Sequence, residues 1–186
     1  ELGALLRERR HITQSAVDAL TWIAERAHSD GGKLDLRGHR FAVLGAGAEL
    51  SPAASWLRAG AEVLWIDLAD PSARLALNGD LAGTLVRAPH NDLLSEPRQI
   101  AAAIERFAQA GPVHVCALAH AGGKSREWRL CASMNAIVRA LDPELVRSVS
   151  CFVSPTSPAS VQPEDLAASE ERKASAPLWQ RALARA

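Results

Sequence analysis

The sequence contains no tyrosine, so no phenolic O–H is available to whatever chemistry the chain performs. A phenol beside a lysine is an effective way to protonate an oxyanion as it develops, and that route is closed. No excess of one charge exists either. Lys+Arg and Asp+Glu both number 21, which argues against a nucleic-acid backbone or an anionic membrane as partner. No apolar run reaches the length of about eighteen residues that a membrane span needs, and no signal-peptide pattern is present, so a cytoplasmic location is expected. Cysteine is scarce. Cys116, Cys131 and Cys151 cannot all pair, and no C-x-x-C or H-x-x-x-H spacing joins them to His114 or His120, so no metal site is expected. Cys116 and Cys151 fall in stretches that read as buried strands, where a free cysteine acts as a small apolar filler. The first residue is Glu1 rather than methionine, as expected of a piece of something longer.

What is present fits one well-packed domain: 186 residues, 48% of them apolar. The first thirty or so positions read as helix, with Ala16, Val17, Leu20, Ile23, Ala24 and Ala27 at spacings of three and four and Thr13 as N-cap. Asp30-Gly31-Gly32 breaks that helix. Short apolar runs then alternate with helical patterns. Strands are expected at Arg40 to Leu44, Glu62 to Ile66, Leu85-Val86, Val113 to Leu118 and Val149 to Val153. Helices are expected from Ser51-Pro52 to Gly60, from Ser72 to Leu77, from Glu96 to Gln109, from Trp128 to Leu141, and from Glu164 to Ala186 with a break at Pro177. Strands alternating with helices predict a doubly wound parallel sheet with helices on both faces, a Rossmann-like α/β fold. The expected division is an N-terminal helical segment at 1–30 and a nucleotide-binding domain at 33–186.

In such a sheet a phosphate sits against the turn after the first strand. Gly45-Ala46-Gly47-Ala48-Glu49-Leu50 occupies that turn, with Gly45 permitting a tight bend and Gly47 a close backbone approach. Leu50 stands where the third glycine of the G-x-G-x-x-G pattern belongs. Asp67 closes the second strand about twenty positions after Gly47, where a carboxylate accepts hydrogen bonds from an adenosine ribose and repels a 2′-phosphate, favouring NAD over NADP. Glu49 opposes this, because its carboxylate would compete with a pyrophosphate for the helix N-terminus.

Several further segments fall into one register: Leu36-Arg37-Gly38 before the first strand with Gly45-Ala46 after it, and Ala59-Gly60-Ala61-Glu62-Val63 at the entry of the second. Asn91-Asp92-Leu93 precedes Glu96-Pro97, Ala119-His120-Ala121-Gly122 follows the fourth strand, and Trp128 stands seven positions before Asn135. Together these resemble the short-chain dehydrogenase/reductase family from about Leu34 onward. The resemblance implies cofactor contacts from Gly45, Ala46, Gly47, Glu49, Asp67, Asn91, Asp92, Ala119 and Gly122, and a proton-relay role for Asn135. It also implies carbonyl polarisation by Ser154 or Ser157, and Lys173 as the partner lysine, with Ser169 at the tyrosine position. The helix holding Trp128 is one that the family uses for dimers, leaving Ile137, Val138 and Leu141 to face either a partner or the sheet. The departures match the missing tyrosine. Glu49 and Ser51 replace later glycines, and the stretch from Gly122 to Trp128 is short.

His120, at the mouth of the sheet, is the candidate replacement acid, although a structural histidine lining the cleft is the commoner case. Lys124 and Arg126 stand close by to meet an anion, or simply form a solvated loop. Three functions follow. The first is a divergent oxidoreductase-like domain of this family that binds NAD and a small-molecule substrate. The second is a catalytically silent Rossmann domain that contacts a second copy or other domains of a larger protein. The third, S-adenosylmethionine chemistry over the same glycine turn, fits Trp128 and Asn135 less well.

Overall fold

A computed structural model describes residues 2–9, 11–29, 31–75, 81–152 and 163–183. They divide into two compact units, Leu34–Phe152 and the combination of Glu1–Lys33 with Val153–Ala186. The C-terminal helices therefore group with the N-terminal ones, whereas the sequence pattern had assigned them to the sheet domain.

In the larger unit the elements run β1 (Arg40–Leu44), α3 (Ala53–Arg58), β2 (Glu62–Ile66), α4 (Pro71–Leu75), β3 (Thr84–Arg87), α5 (Pro97–Ala108), β4 (Val113–Ala117), α6 (Lys124–Ala140) and β5 (Val146–Cys151). In the smaller unit, α1 (Leu2–Glu8) and α2 (Gln14–Ser29) are joined by α7 (Pro163–Ser175) and α8 (Leu178–Leu183). Thr13 caps α2 as expected, its hydroxyl accepting from the Ala16 N–H at 3.3 Å. No residue of α1, α2 or α7 is buried.

The five strands form one all-parallel sheet in the order β3-β2-β1-β4-β5. This is the doubly wound, Rossmann-like arrangement that the alternation predicts. The apolar runs Arg40–Leu44 and Glu62–Ile66 are buried on both faces after their first residue, as central parallel strands require. Alternation sends Ala42, Leu44, Leu64 and Ile66 to one face, under α5 and α6, and Phe41, Val43, Val63 and Trp65 to the other, with Leu57 of α3 and Leu75 of α4. On α5, Ile100, Ala101, Ala103, Ile104, Phe107 and Ala108 make a continuous buried stripe at helical spacing.

Two local expectations change. α6 starts at Lys124, a full turn earlier than the apolar pattern suggests, directly after Gly123 at φ 71°. β5 is an edge strand with most of its residues exposed, so Cys151 is not the buried filler expected of it, whereas Cys116 in β4 is. An edge strand is covered by no neighbour on one side, and a short apolar run alone cannot distinguish it from a central strand. Ile137 and Leu141 pack into the core beneath the sheet, with Val138 against them, which resolves the direction that face takes. Trp128 is 80% exposed on the same helix. No helix among the described residues is long and apolar enough to cross a membrane.

Candidate functional site

β1 leaves the sheet towards α3 on one face, and β4 towards α6 on the other. A crevice opens where their carboxyl ends diverge, which is the topological switch point of a doubly wound sheet. It encloses about 280 Å³ and takes its walls from the turns after β1, β2, β3 and β4 and from the first turns of α6. That volume lies just below the range of typical small-molecule sites, about 300–1,000 Å³.

Gly45 makes the floor. It adopts φ +86°, and a Cβ there would lie 2.4 Å from both Cα and N of Ala119. Glycine is thus demanded at this position by the approach of the β4 turn as well as by the bend. Its N–H donates to Ile66 O at 2.8 Å, and Leu118 N–H donates to Leu44 O at 2.9 Å, so the two turns are tied to the sheet and to each other.

Asp67 follows the last residue of β2. Its carboxylate accepts from Gly47 N–H at 2.9 Å through one oxygen and from Ala69 N–H at 2.8 Å through the other. Gly47 is needed for that approach, since a Cβ on it would meet Ala69 Cβ at 2.9 Å and Asp67 Cγ at 3.2 Å. The carboxylate is half-exposed and lines the crevice, with lone pairs left over for hydroxyl donors. The same contact takes up an amide that a pyrophosphate would otherwise use, and α3 beyond it is only six residues long, with Pro52 at its N-cap. The ribose side of the site is therefore better built than its phosphate side.

Asn91, Asp92, Ala119 and His120 also line the crevice. Asp92 closes its own turn by accepting from Leu94 N–H at 2.9 Å. The Ser95 hydroxyl, the Leu94 N–H and the nearby Arg126 hold its carboxyl below the ordinary aspartate value. His120 is exposed at the rim. Arg126 and Leu130, one turn apart on α6, complete the wall. Leu130 was not legible as a site residue, because a leucine at helical spacing in a core-forming helix carries no mark of lining a cleft.

Of the remaining expected residues within the Leu34–Phe152 unit, Ala46, Glu49, Gly122 and Asn135 do not line this crevice. Ala46 is buried beneath the turn, and Glu49 and Gly122 are exposed outside the lining. Asn135 is exposed on α6, off the face carrying Leu130, Met134 and Ile137 into the core. Lys173 and Ser169 lie on α7, in the other compact unit. Ser154 and Ser157 fall outside the described residues.

Comparison with known proteins returns no match, either to a protein-family model or to a curated protein. The fold class is thus defined by the sheet itself, and function is argued from the crevice.

Proposed function

We propose that the Leu34–Phe152 unit is a nucleotide-binding domain of divergent short-chain dehydrogenase/reductase type, taking NAD in the crevice between β1 and β4 as an oxidoreductase-like module. The observation that carries this is the Asp67 carboxylate, held at the end of β2 by the Gly47 and Ala69 N–H groups. A carboxylate pre-oriented there is suited to a ribose diol and repels a 2′-phosphate, so NADP binds less well. Asn91 and Asp92 supply the adenine side, and the small-molecule substrate approaches past His120 and Arg126. A cytoplasmic setting belongs to the same reading and agrees with three cysteines that all remain thiols. So does a partner, a second copy or another domain of a larger protein, that covers Trp128.

A second reading has its own support. With no tyrosine in the sequence, no tyrosine–lysine acid couple can act on a bound carbonyl. In this reading the domain binds its nucleotide, or only a partner, and turns nothing over. Among the described residues, His120 at the rim is the candidate to replace the missing acid.

Thermal unfolding with NAD, NADP and S-adenosylmethionine in parallel tests the proposal. A ligand at a hundred times its dissociation constant adds about 2.7 kcal/mol to the folded state. NAD is expected to shift the transition most. If none of the three moves it, the cofactor proposal is refuted; a shift by S-adenosylmethionine alone transfers the crevice to that cofactor.

A further inference from the structure

The turn that joins β3 to α5 supplies one wall of the crevice, and its conformation is fixed from behind by a side chain that does not line the crevice. Glu96 stands at the N-cap of α5, where serine, threonine, aspartate or asparagine is the usual choice. Its side chain makes no capping bond to the helix it precedes. Pro97 follows, and proline has no N–H to offer. The carboxylate turns back instead. One oxygen meets His90 Nδ1 at 2.9 Å, and the other accepts from the backbone N–H of both Asn91 and Asp92 at 3.3 Å. Two further ties act on the same turn. Glu96 N–H donates to Asp92 O at 2.9 Å, and the Ser133 hydroxyl of α6 donates to Leu93 O.

We propose that Glu96 is the positioning residue of this site: it fixes the Asn91–Asp92 backbone so that both residues line the crevice together with Asp67. The inference rests on the nucleotide-binding reading for its consequence, but not for its geometry. A backbone N–H held by a carboxylate is a charge-assisted bond, stronger than one to a neutral acceptor. Two such amides on consecutive residues leave the turn little freedom to rotate. With the carboxylate gone, both amides face solvent, and the wall samples conformations that carry Asn91 and Asp92 off the ligand. Asp92 adds its own Asx-type turn through Leu94 N–H, which shapes the segment locally but does not anchor it to α5.

The test uses the full chain with NAD as probe, in wild type, Glu96→Ala and Glu96→Gln. Two quantities are read: hydrogen exchange at the amides of Asn91 and Asp92, and the dissociation constant by calorimetry. Glu96→Ala is expected to speed exchange at those two amides and to weaken NAD about tenfold, the factor that one charge-assisted hydrogen bond carries. Exchange in the core of α5, at Ile104, is expected to stay as in wild type. Glu96→Gln keeps a carbonyl acceptor and is expected to recover most of both losses. Unchanged exchange at Asn91 and Asp92 in both variants overturns the proposal. So does faster exchange with NAD affinity intact, and so does faster exchange spread evenly over the unit, which would mark a general loss of stability. If wild type itself fails to bind NAD, the nucleotide reading falls, and the exchange data alone decide whether Glu96 holds the wall.

Discussion

Replacing Gly45 by alanine probes the floor of the crevice, and the structure gives the size of the effect. Two costs are separable. At φ +86° an L-residue pays roughly 1–2 kcal/mol for its backbone conformation. The added Cβ would also sit 2.4 Å from Cα and N of Ala119, and a backbone neighbour cannot swing aside as a side-chain tip can. Overpacking of this kind adds about 1–3 kcal/mol. The sum, about 2–5 kcal/mol, is a large part of the 5–15 kcal/mol that typically separates folded from unfolded chains. Gly38 supplies an internal control. It has nearly the same φ, +80°, but nothing within 4 Å of its Cβ position, so Gly38→Ala carries the backbone cost alone. Urea unfolding of the two variants beside wild type reads the difference directly. Gly45→Ala is expected to lose at least 1 kcal/mol more than Gly38→Ala and, under the nucleotide-binding proposal, to lose NAD affinity as well. Equal losses would show that the β4 turn yields to the new methyl group, and the close approach of Gly45 to Ala119 would then not be what shapes the crevice.

Acidification tests the Glu96 contacts through stability. His90 and the Asp92 and Asn91 N–H groups hold its carboxyl below the ordinary glutamate value. A carboxylate with a depressed folded-state pKa contributes stability above its unfolded value and loses it as pH falls through the folded one. Wild type is therefore expected to lose stability more steeply than Glu96→Gln from the ordinary glutamate value downward, and parallel curves would refute the contact. Thiol titration separates the cysteines: Cys131 and Cys151 are exposed, while Cys116 is buried and its thiol is pushed up by that burial. Two thiols are expected to react rapidly with a disulfide reagent and the third only on unfolding; three fast reactions would contradict the burial of β4. Ile104, 1% exposed between α5 and the sheet, is expected to cost about 2–5 kcal/mol when cut to alanine, at constant urea m-value. A loss under about 1 kcal/mol would show that α5 is not seated as described.

The sheet was legible because its central strands are apolar on both faces and its helices are amphipathic. Arg40–Leu44 and Glu62–Ile66 are continuous apolar runs after their first residue, and the α5 stripe keeps a helical period over its length. The limits of that reasoning lie at the margins. Nothing in Val149 or Cys151 tells an edge strand from a central one, and Lys124 to Glu127 is polar, so the start of α6 left no periodic trace. Of the candidate site, the glycine turn and Asp67 were legible from spacing, since their chemistry needs fixed offsets along the chain. Asn135 and Lys173 were drawn from resemblance to a pattern whose central tyrosine is missing; Asn135 does not line the crevice, and Lys173 lies on α7 of the other unit. Glu96 was read as the start of a helix and as part of a sequence match, not as an anchor of the turn before it. Its contacts reach backwards to His90, Asn91 and Asp92, and a glutamate before a proline carries no signal for such a turn.

The strand order has a consequence in time. β1 pairs with β2 after a single short crossover, Phe41 meeting Val63, but its other neighbour is β4, with Phe41 meeting His114 far down the chain. Closing that longer loop costs more entropy, and contacts so distant in sequence form late. A chain emerging from the ribosome would thus complete the Asp67–Gly47 contact well before Ala119 arrives to close the floor under Gly45. The half-crevice built by β1, β2 and β3 comes first, and under the nucleotide-binding proposal a ligand would take hold only once β4 has joined it, as a seal on the finished sheet and not as a template for its assembly.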